Sequence, residues 1–175
     1  SGSIDHAIGA YVNEQLQGIA QAQPSFFPNS QALLKDLKKM YFPAGTTGIT
    51  ADATGMYTNI PTDVALVIIS EFLWENRHKF SYNYKALIAA LELVFRNNHF
   101  RFGDLYIKQV SGTAMGKKPA PPWATIFYAI KEIVLLDKFA ASLLLYRRYI
   151  DDVLAFWLPH PDPVENAKTL QEFRD

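Results

Sequence analysis

The 175-residue chain contains no cysteine. That absence excludes disulfide bonds, thiolate metal sites and cysteine nucleophiles, and it fits a reducing compartment. The chain also lacks a membrane-spanning apolar run, because Lys131, Glu132, Asp137 and Lys138 interrupt its most apolar stretch, residues 126–145. No secretory signal is visible. We therefore expect an intracellular protein with no membrane partner.

Apolar residues are plentiful, at 49% of the chain, and aromatic residues make up 14%. A chain of this length and composition predicts one folded domain with a real core. The net charge is zero, but residues 96–148 carry nine Lys/Arg against three Asp/Glu, whereas residues 149–175 carry two against six. A basic middle and an acidic end suit a phosphate backbone led toward metal-binding carboxylates, although an ordinary solvated surface would have the same composition.

Hydrophobic periodicity and turn residues predict the order ααβααββαββα. Predicted helices cover residues 4–22, 30–40 (capped by Ser30), 84–97 and 123–141, and two more begin near residues 61 and 163. Predicted strands cover residues 49–53, 99–102, 105–110 and both sides of an acidic turn at residues 151–152. This order predicts an α+β domain with helices packed on one face of a small antiparallel sheet.

Paired carboxylates, Asp151 and Asp152, lie between two apolar runs at the tip of the last predicted hairpin. Alone, such a pair could be an ordinary polar turn. A third acid, Asp52, ends the only strand-like run in the first half of the chain. If that strand lies beside the hairpin, Asp52 and Asp151 would face each other with Asp152 adjacent. Three clustered carboxylates could hold two Mg²⁺ or Mn²⁺ ions for phosphoryl transfer.

Three segments around these acids form an ordered set: Asp52-Ala-Thr-Gly-Met-Tyr-Thr-Asn-Ile-Pro61, Gly112-Thr-Ala-Met-Gly116 with Pro121 and Ala124, and Arg148-Tyr-Ile-Asp-Asp152. In order and spacing they resemble the palm motifs of reverse transcriptases, most closely those of the Penelope-like retroelements, which are related to telomerase. The resemblance implies a polymerase palm fold and an RNA-directed DNA polymerase that transfers a nucleotide from a dNTP to a primer 3′-hydroxyl. It also implies a DNA primer and an RNA template as partners, and a nuclear location if the host is eukaryotic.

The resemblance implies roles for individual residues. Asp52 and Asp151 would be the main metal ligands, supported by Asp152 and the backbone carbonyl of Ala53. Tyr57 would stack under the incoming sugar and exclude a 2′-hydroxyl, unless it is simply a core aromatic. The other implied positions are nucleotide contacts at Gly112, Met115, Gly116 and Pro121, and nucleic-acid contacts at Lys117, Lys118, Arg147, Arg148 and Tyr149.

The implied contacts to nucleic acid have structural alternatives. The two lysines could be solvated loop residues, and Tyr149 could serve packing. Arg147 and Arg148 should point to opposite faces of a strand, so one of them could contact the primer and one could pair with an acid.

The chain departs from the family pattern in several places. Lys35, Lys38 and Lys39 lie on a predicted solvated helix, so they are poor candidates for gripping a triphosphate. Gly55 suggests added flexibility next to Tyr57, and Pro119, Pro121 and Pro122 are more prolines than the second motif usually has.

We predict a cloning scar at residues 1–3, a helical lead-in from partial fingers at 4–48, and a palm at 49–175 that ends before the primer grip and thumb. Such a fragment should polymerise weakly or not at all, and apolar surface left by the missing fingers and thumb should promote self-association. Two other functions remain open. One is a domesticated, non-catalytic module that binds RNA or assembles, and the other is a two-metal nuclease that uses the same acids.

Overall fold

The computed structural model describes residues 4–174, with the side chains of residues 6–174, so the predicted scar at residues 1–3 and the final Asp175 lie outside the described residues. The elements are α1 (Ile4–Gln21), α2 (Ser30–Leu37), β1 (Thr47–Asp52), α3 (Thr62–Glu75), α4 (Tyr84–Arg96), β2 (His99–Phe102), β3 (Leu105–Lys108), α5 (Ala120–Lys138), β4 (Leu143–Tyr149), β5 (Asp152–Trp157) and α6 (Pro163–Arg174). The predicted order of elements is confirmed. No helix in the described part of the chain is long and apolar enough to cross a membrane.

The first of two structural units comprises residues 4–23 and 55–128. Within it, α4 packs against α1 and α3. The predicted inward face of α4 is confirmed, because its apolar side chains at helical spacing are all buried: Leu87, Leu91, Val94 and Phe95. The ring of Phe95 stacks on Trp123 at a centroid distance of 4.1 Å. Strands β2 and β3 form a separate antiparallel hairpin in this unit.

The second unit comprises residues 24–54 and 129–174 and contains a three-stranded antiparallel sheet in the order β1-β5-β4. Because side chains alternate along β5, Val153, Ala155 and Trp157 share one face, on which the last two are buried. The ring of Trp157 contacts Phe139, the residue that follows α5, and Phe173 of α6 at centroid distances of 5.9 and 5.3 Å. This aromatic cluster holds the two helices on the sheet of the second unit.

The two units interleave along the chain. The predicted division at residues 48 and 49 into a helical lead-in and a palm therefore differs from the division into structural units, and as a statement about fingers and palm it stays a prediction.

Two predicted element boundaries are corrected by local chemistry. Helix α2 is capped by Asn29, not Ser30: the Asn29 side chain accepts a 2.9 Å hydrogen bond from the backbone N–H of Ala32. Helix α5 begins at Ala120, three residues earlier than predicted. Pro121 and Pro122 therefore fall in the first turn, where a backbone N–H has no helical partner and proline is tolerated.

Candidate active site

The acid that ends β1 lies directly opposite one of the twin acids of the hairpin. Strands β1 and β5 pair in antiparallel register, with Asp52 opposite Asp152. Opposite residues of such a pair project to the same face of the sheet, so the two carboxylates are neighbours. The ladder extends one step further, since the Ala53 N–H donates a 2.9 Å hydrogen bond to the Asp151 carbonyl oxygen. The predicted adjacency of the early strand and the hairpin is confirmed.

The predicted geometry of the three acids needs a correction. Asp152, not Asp151, faces Asp52, because Asp151 occupies the turn. Among the described side chains, residues 6–174, no group of three or more His, Cys, Asp or Glu is arranged to hold a metal ion. All three carboxylates are exposed, and like charges repel when no cation lies between them. A complete three-carboxylate cage is therefore not preassembled.

The donor set nevertheless suits one kind of cation. Mg²⁺ is usually bound by one or two carboxylates together with substrate phosphates and water, rather than by a cage made only of protein ligands. The neighbouring carboxylates of Asp52 and Asp152, with Asp151 one residue away, provide oxygen ligands of that kind. These residues fit a divalent ion whose coordination is completed by a phosphorylated substrate.

The turn that carries Asp151 has an unusual backbone. Tyr149 and Asp152 are paired, so Ile150 and Asp151 form a two-residue loop. Ile150 has φ of 56°, and it is the one non-glycine residue with positive φ in the described part of the chain. A β-branched residue in this region is strained by roughly 1–2 kcal/mol. Surrounding interactions must therefore hold the turn in place.

One of those interactions comes from the buried side chain of Arg148. Its Nη1 donates a 3.0 Å hydrogen bond to the Ile150 carbonyl oxygen, and its Nε and Nη2 donate to the two carboxylate oxygens of Glu132 on α5. Arg148 is only 2% exposed. The acid-pairing alternative therefore holds for Arg148, and its implied contact with nucleic acid is corrected, because the guanidinium is not accessible to a primer.

Sequence reasoning missed Glu132, which organises this network. Besides Arg148, it accepts hydrogen bonds from the Ser25 hydroxyl at 2.6 Å and the Tyr146 hydroxyl at 3.0 Å. Burial, followed by the charge of Glu132, raises the pKa of Tyr146 well above its usual value. The signal was available: Glu132 is an acid inside an apolar stretch of helix, and such an acid requires a buried partner.

The other hairpin residues have separate environments. The prediction that the two arginines lie on opposite faces is confirmed, since Arg147 is opposite Leu154 and Arg148 is opposite Val153. Arg147 Nη1 donates a 3.0 Å hydrogen bond to the Pro24 carbonyl oxygen.

Tyr149 lies at the rim of this site. Its ring lies 5.5 Å from that of Phe27, and it is 41% exposed. An open cleft of about 530 Å³ is lined by Asp52 and Asp152 together with the apolar side chains of Phe27, Leu33 and Leu154. Tyr149 therefore has a packing partner and also remains accessible.

The tail of the first motif and the head of the second meet within the first unit. The Thr113 N–H donates a 2.7 Å hydrogen bond to the Tyr57 carbonyl oxygen, and the Thr62 hydroxyl donates to the Gly112 carbonyl oxygen at 3.3 Å. Gly112 has φ of +79°, and an added Cβ would lie 3.0 Å from the Thr58 backbone. Only glycine allows this close approach. The role of Tyr57 in sugar selection stays a prediction.

Gly55 has a defined role in this segment, which differs from the predicted flexibility. Its φ is +62°, and its carbonyl oxygen accepts 2.9 Å hydrogen bonds from the Thr58 hydroxyl and the Asn59 N–H. Glycine is needed here because the tight turn requires positive φ.

The loop after Gly112 presents only some of its predicted binding residues. Met115 is 69% exposed, and Gly116 and Pro121 are exposed as well. Lys117 is half-buried, and its ammonium donates to the carbonyl oxygens of Val94, at 2.5 Å, and Asn97, at 3.5 Å. Its charge therefore stabilises the end of α4. Lys118 is exposed and is the better phosphate ligand of the two.

Comparison with known proteins finds solved structures of similar fold. No family model matches the chain, and no curated protein sequence matches it. The structure of telomerase from Candida albicans in complex with a TWJ fragment of telomeric RNA is similar, with 12% identity and a TM-score of 0.67 over 95% of this chain and 32% of that chain. Apo telomerase from Candida tropicalis matches with 12% identity and a TM-score of 0.63 over 94% and 32% of the two chains.

A third similar structure is apo telomerase from Candida tropicalis truncated from the C-terminal domain, with 12% identity and a TM-score of 0.61 over 95% of this chain and 38% of that chain. The chain therefore spans 32–38% of the length of the telomerases it resembles. At this identity the likeness concerns the fold, and it confirms the expected α+β, palm-like architecture. The chain has an α+β fold similar to that of part of these telomerases.

Proposed function

We propose that this chain is the catalytic palm of an RNA-directed DNA polymerase, which transfers a nucleotide from a dNTP to a primer 3′-hydroxyl. The observation that carries the proposal is the placement of Asp52 opposite Asp152, with Asp151 in the adjoining turn. The telomerase-like fold supports the general class. The Tyr-Thr-Asn-Ile-Pro, Gly-Thr-Ala-Met-Gly and Arg-Tyr-Ile-Asp-Asp segments support the Penelope-like branch.

Asp52, Asp151 and Asp152, with the Ala53 carbonyl, would hold two Mg²⁺ or Mn²⁺ ions. When bound, the ions would lower the pKa of the primer hydroxyl and neutralise charge on the triphosphate. The carboxylates are not preassembled as a three-ligand cage, so we expect them to bind metal weakly alone and more tightly as a metal–dNTP complex. The Arg148 hydrogen bond to Ile150 and the Asp151–Ala53 ladder bond would fix the turn that presents the acids.

The proposed partners are an RNA template, a DNA primer and a dNTP. The Candida albicans telomerase of similar fold was solved with a telomeric RNA fragment, which supports RNA as a partner of this fold. We expect little primer extension from this chain alone, because it spans only 32–38% of the length of the telomerases that it resembles. We also expect self-association through exposed apolar side chains, such as Val134 (73% exposed). A purely monomeric light-scattering profile would contradict that expectation.

Calorimetric titration with Mn²⁺–dTTP tests the catalytic proposal. Asp52→Asn and Asp151→Asn should each weaken binding by at least about tenfold, since each removes a charged ligand of a hard cation. Asp137→Asn is the matched control, because Asp137 is an exposed acid of the same unit outside the site. If both site variants bind Mn²⁺–dTTP as the parent does, the proposal is wrong.

A second candidate function is favoured by one observation, the absence of a preassembled metal group among the side chains of residues 6–174. A non-catalytic, RNA-binding module would show salt-sensitive RNA affinity that EDTA does not change, and no binding of Mn²⁺–dTTP. If metal binds, a labelled primer separates the remaining alternatives: extension indicates a polymerase, and degradation indicates a two-metal nuclease.

A further inference from the structure

The β2–β3 hairpin of the first unit exposes all eight of its strand residues. Its register pairs His99 with Lys108 and Arg101 with Tyr106. Opposite residues share a face, and alternate residues along a strand return to it. These four residues therefore form one face, which we call the basic face.

The opposite face of the hairpin differs in chemistry. The remaining cross-strand pairs are Phe100 with Ile107 and Phe102 with Leu105, so this face is wholly apolar. The two faces carry aromatic rings of similar exposure: Tyr106 is 77% exposed on the basic face, and Phe102 is 73% exposed on the apolar face. The hairpin thus contains its own matched pair of residues for an experiment.

A pocket of about 440 Å³ adjoins the basic face through His99, which lines both. Its polar lining consists of imidazole, ammonium and amide groups from His6, Asn97, Asn98, His99, Lys117 and Lys118. No Asp or Glu lines it. The pocket also has apolar lining from Ile8, Leu93, Val94 and Pro119. It meets the basic face at His99, so the donors and positive charges of the two lie near one another and complement a chain of phosphates.

The positive charges on this surface differ in how far other groups of the protein neutralise them. Arg101 donates to the Gly103 carbonyl oxygen at 2.7 Å and to the Asp104 carboxylate at 3.3 Å, so part of its charge is neutralised at the turn. Lys108 and Lys118 take part in no ion pair within residues 6–174. These two lysines are therefore the groups on this surface most available to a phosphate.

We propose that the basic face of the β2–β3 hairpin and the adjoining pocket bind a single strand of RNA. The strand's phosphates contact Lys108 and Lys118, and one base stacks on Tyr106. Proteins that bind single strands combine a basic track with exposed aromatic rings in this way. The inference goes beyond the proposed polymerase chemistry, because it gives the hairpin residues Tyr106 and Lys108 a binding role of their own. None of the residues of this surface is a proposed metal ligand, and the binding requires no metal.

Fluorescence anisotropy with a 5′-fluorescein-labelled 12-mer of oligouridylate tests the proposal. Tyr106→Ala should weaken binding by about tenfold, the typical effect of losing one base–aromatic stack. Phe102→Ala should leave binding unchanged. Lys108→Gln should reduce the slope of log K against log salt by about 0.7, the contribution of one phosphate contact on a single strand. Lys85→Gln, which removes an exposed lysine of the same unit, should not change that slope.

Several results would overturn the proposal. It is wrong if the parent does not bind the 12-mer at low salt, or if Phe102→Ala weakens binding as much as Tyr106→Ala does. It is also wrong if Phe102→Ala abolishes self-association while no RNA binding is seen, since the hairpin would then be a protein-docking element. Binding that persists in EDTA and in Asp52→Asn supports the proposal whatever becomes of the polymerase function, so the two can fail separately.

Discussion

The Arg148 side chain donates a 3.0 Å hydrogen bond to the carbonyl oxygen of Ile150, the residue with positive φ in the acidic turn. The same guanidinium pairs with Glu132, which also accepts from Ser25 and Tyr146. A buried charge network thus supports the strained backbone that precedes Asp151. Replacing one member of such a network leaves its partner charged and buried.

Arg148→Met should therefore lower the free energy of unfolding by about 3–5 kcal/mol, the usual cost of breaking a buried ion pair. Adding Glu132→Gln should restore part of that loss, because it removes the unpaired charge and keeps an acceptor for Ser25. Urea denaturation of the parent, the single variant and the double variant measures both effects. A loss below about 0.5 kcal/mol for Arg148→Met, typical of surface substitutions, would contradict this account of the turn.

Gly112→Ala should destabilise the first unit more than Gly116→Ala. Both glycines have positive φ, of +79° and +90°, so both substitutions strain the backbone. Only the Cβ at position 112 would meet backbone atoms, at 3.0 Å from Thr58, whereas the space around Gly116 is open. We expect losses of about 3 and about 1 kcal/mol, respectively. Equal thermal shifts of the two variants would argue against the close packing of Gly112 on Thr58.

The order of elements follows from the sequence because local rules decide it. The cap of α2 is Asn29 instead of the predicted Ser30, but the helix itself was predicted, and so was the buried face of α4. The adjacency of β1 and the acidic hairpin was also predicted. The sequence did not predict which acid faces Asp52. A change of one residue in the strand register exchanges Asp151 for Asp152, and no local signal fixes that register.

The sequence could not assign individual charges to partners. Arg147 and Arg148 are adjacent and chemically identical, and only the packing of α5 brings Glu132 to one of them. Lys117 and Lys118 pose the same problem, since the end of α4 takes the charge of Lys117 alone. Such choices depend on contacts between residues distant along the chain, and periodicity carries no information about them.

The free energy of unfolding should fall as the pH rises above about 10, the ordinary tyrosine value. The raised pKa of Tyr146 means that the folded state holds the phenolic proton more tightly than the unfolded state does. The stability that this proton contributes is therefore fully present at a pH below the pKa of Tyr146 in the unfolded state. It is lost as the pH rises toward the higher pKa of the folded state. Tyr146→Phe should flatten the decline between about pH 10 and about pH 11 in urea unfolding, and Tyr41→Phe, at an 80% exposed site, should not. Identical pH profiles for parent and Tyr146→Phe would contradict this assignment.

Tyr57→Ala should relax the choice of sugar. If the ring excludes a 2′-hydroxyl by overlap, the parent binds Mn²⁺–dCTP more tightly than Mn²⁺–CTP, and removing the ring should narrow that preference by about tenfold. Tyr57→Phe keeps the ring and should keep the preference. Competition calorimetry with the two nucleotides measures the ratio. An unchanged ratio in Tyr57→Ala would indicate that Tyr57 is a structural aromatic.

A crystal soaked with Mn²⁺ and dTTP tests the central claim most directly, through the anomalous signal of manganese. We predict manganese peaks at the end of β1, about 2.1 Å from carboxylate oxygens of Asp52 and of Asp151 or Asp152, with the triphosphate completing the coordination. Manganese bound only to the triphosphate, or to acids elsewhere in the chain, would contradict the assignment of these residues to nucleotide transfer.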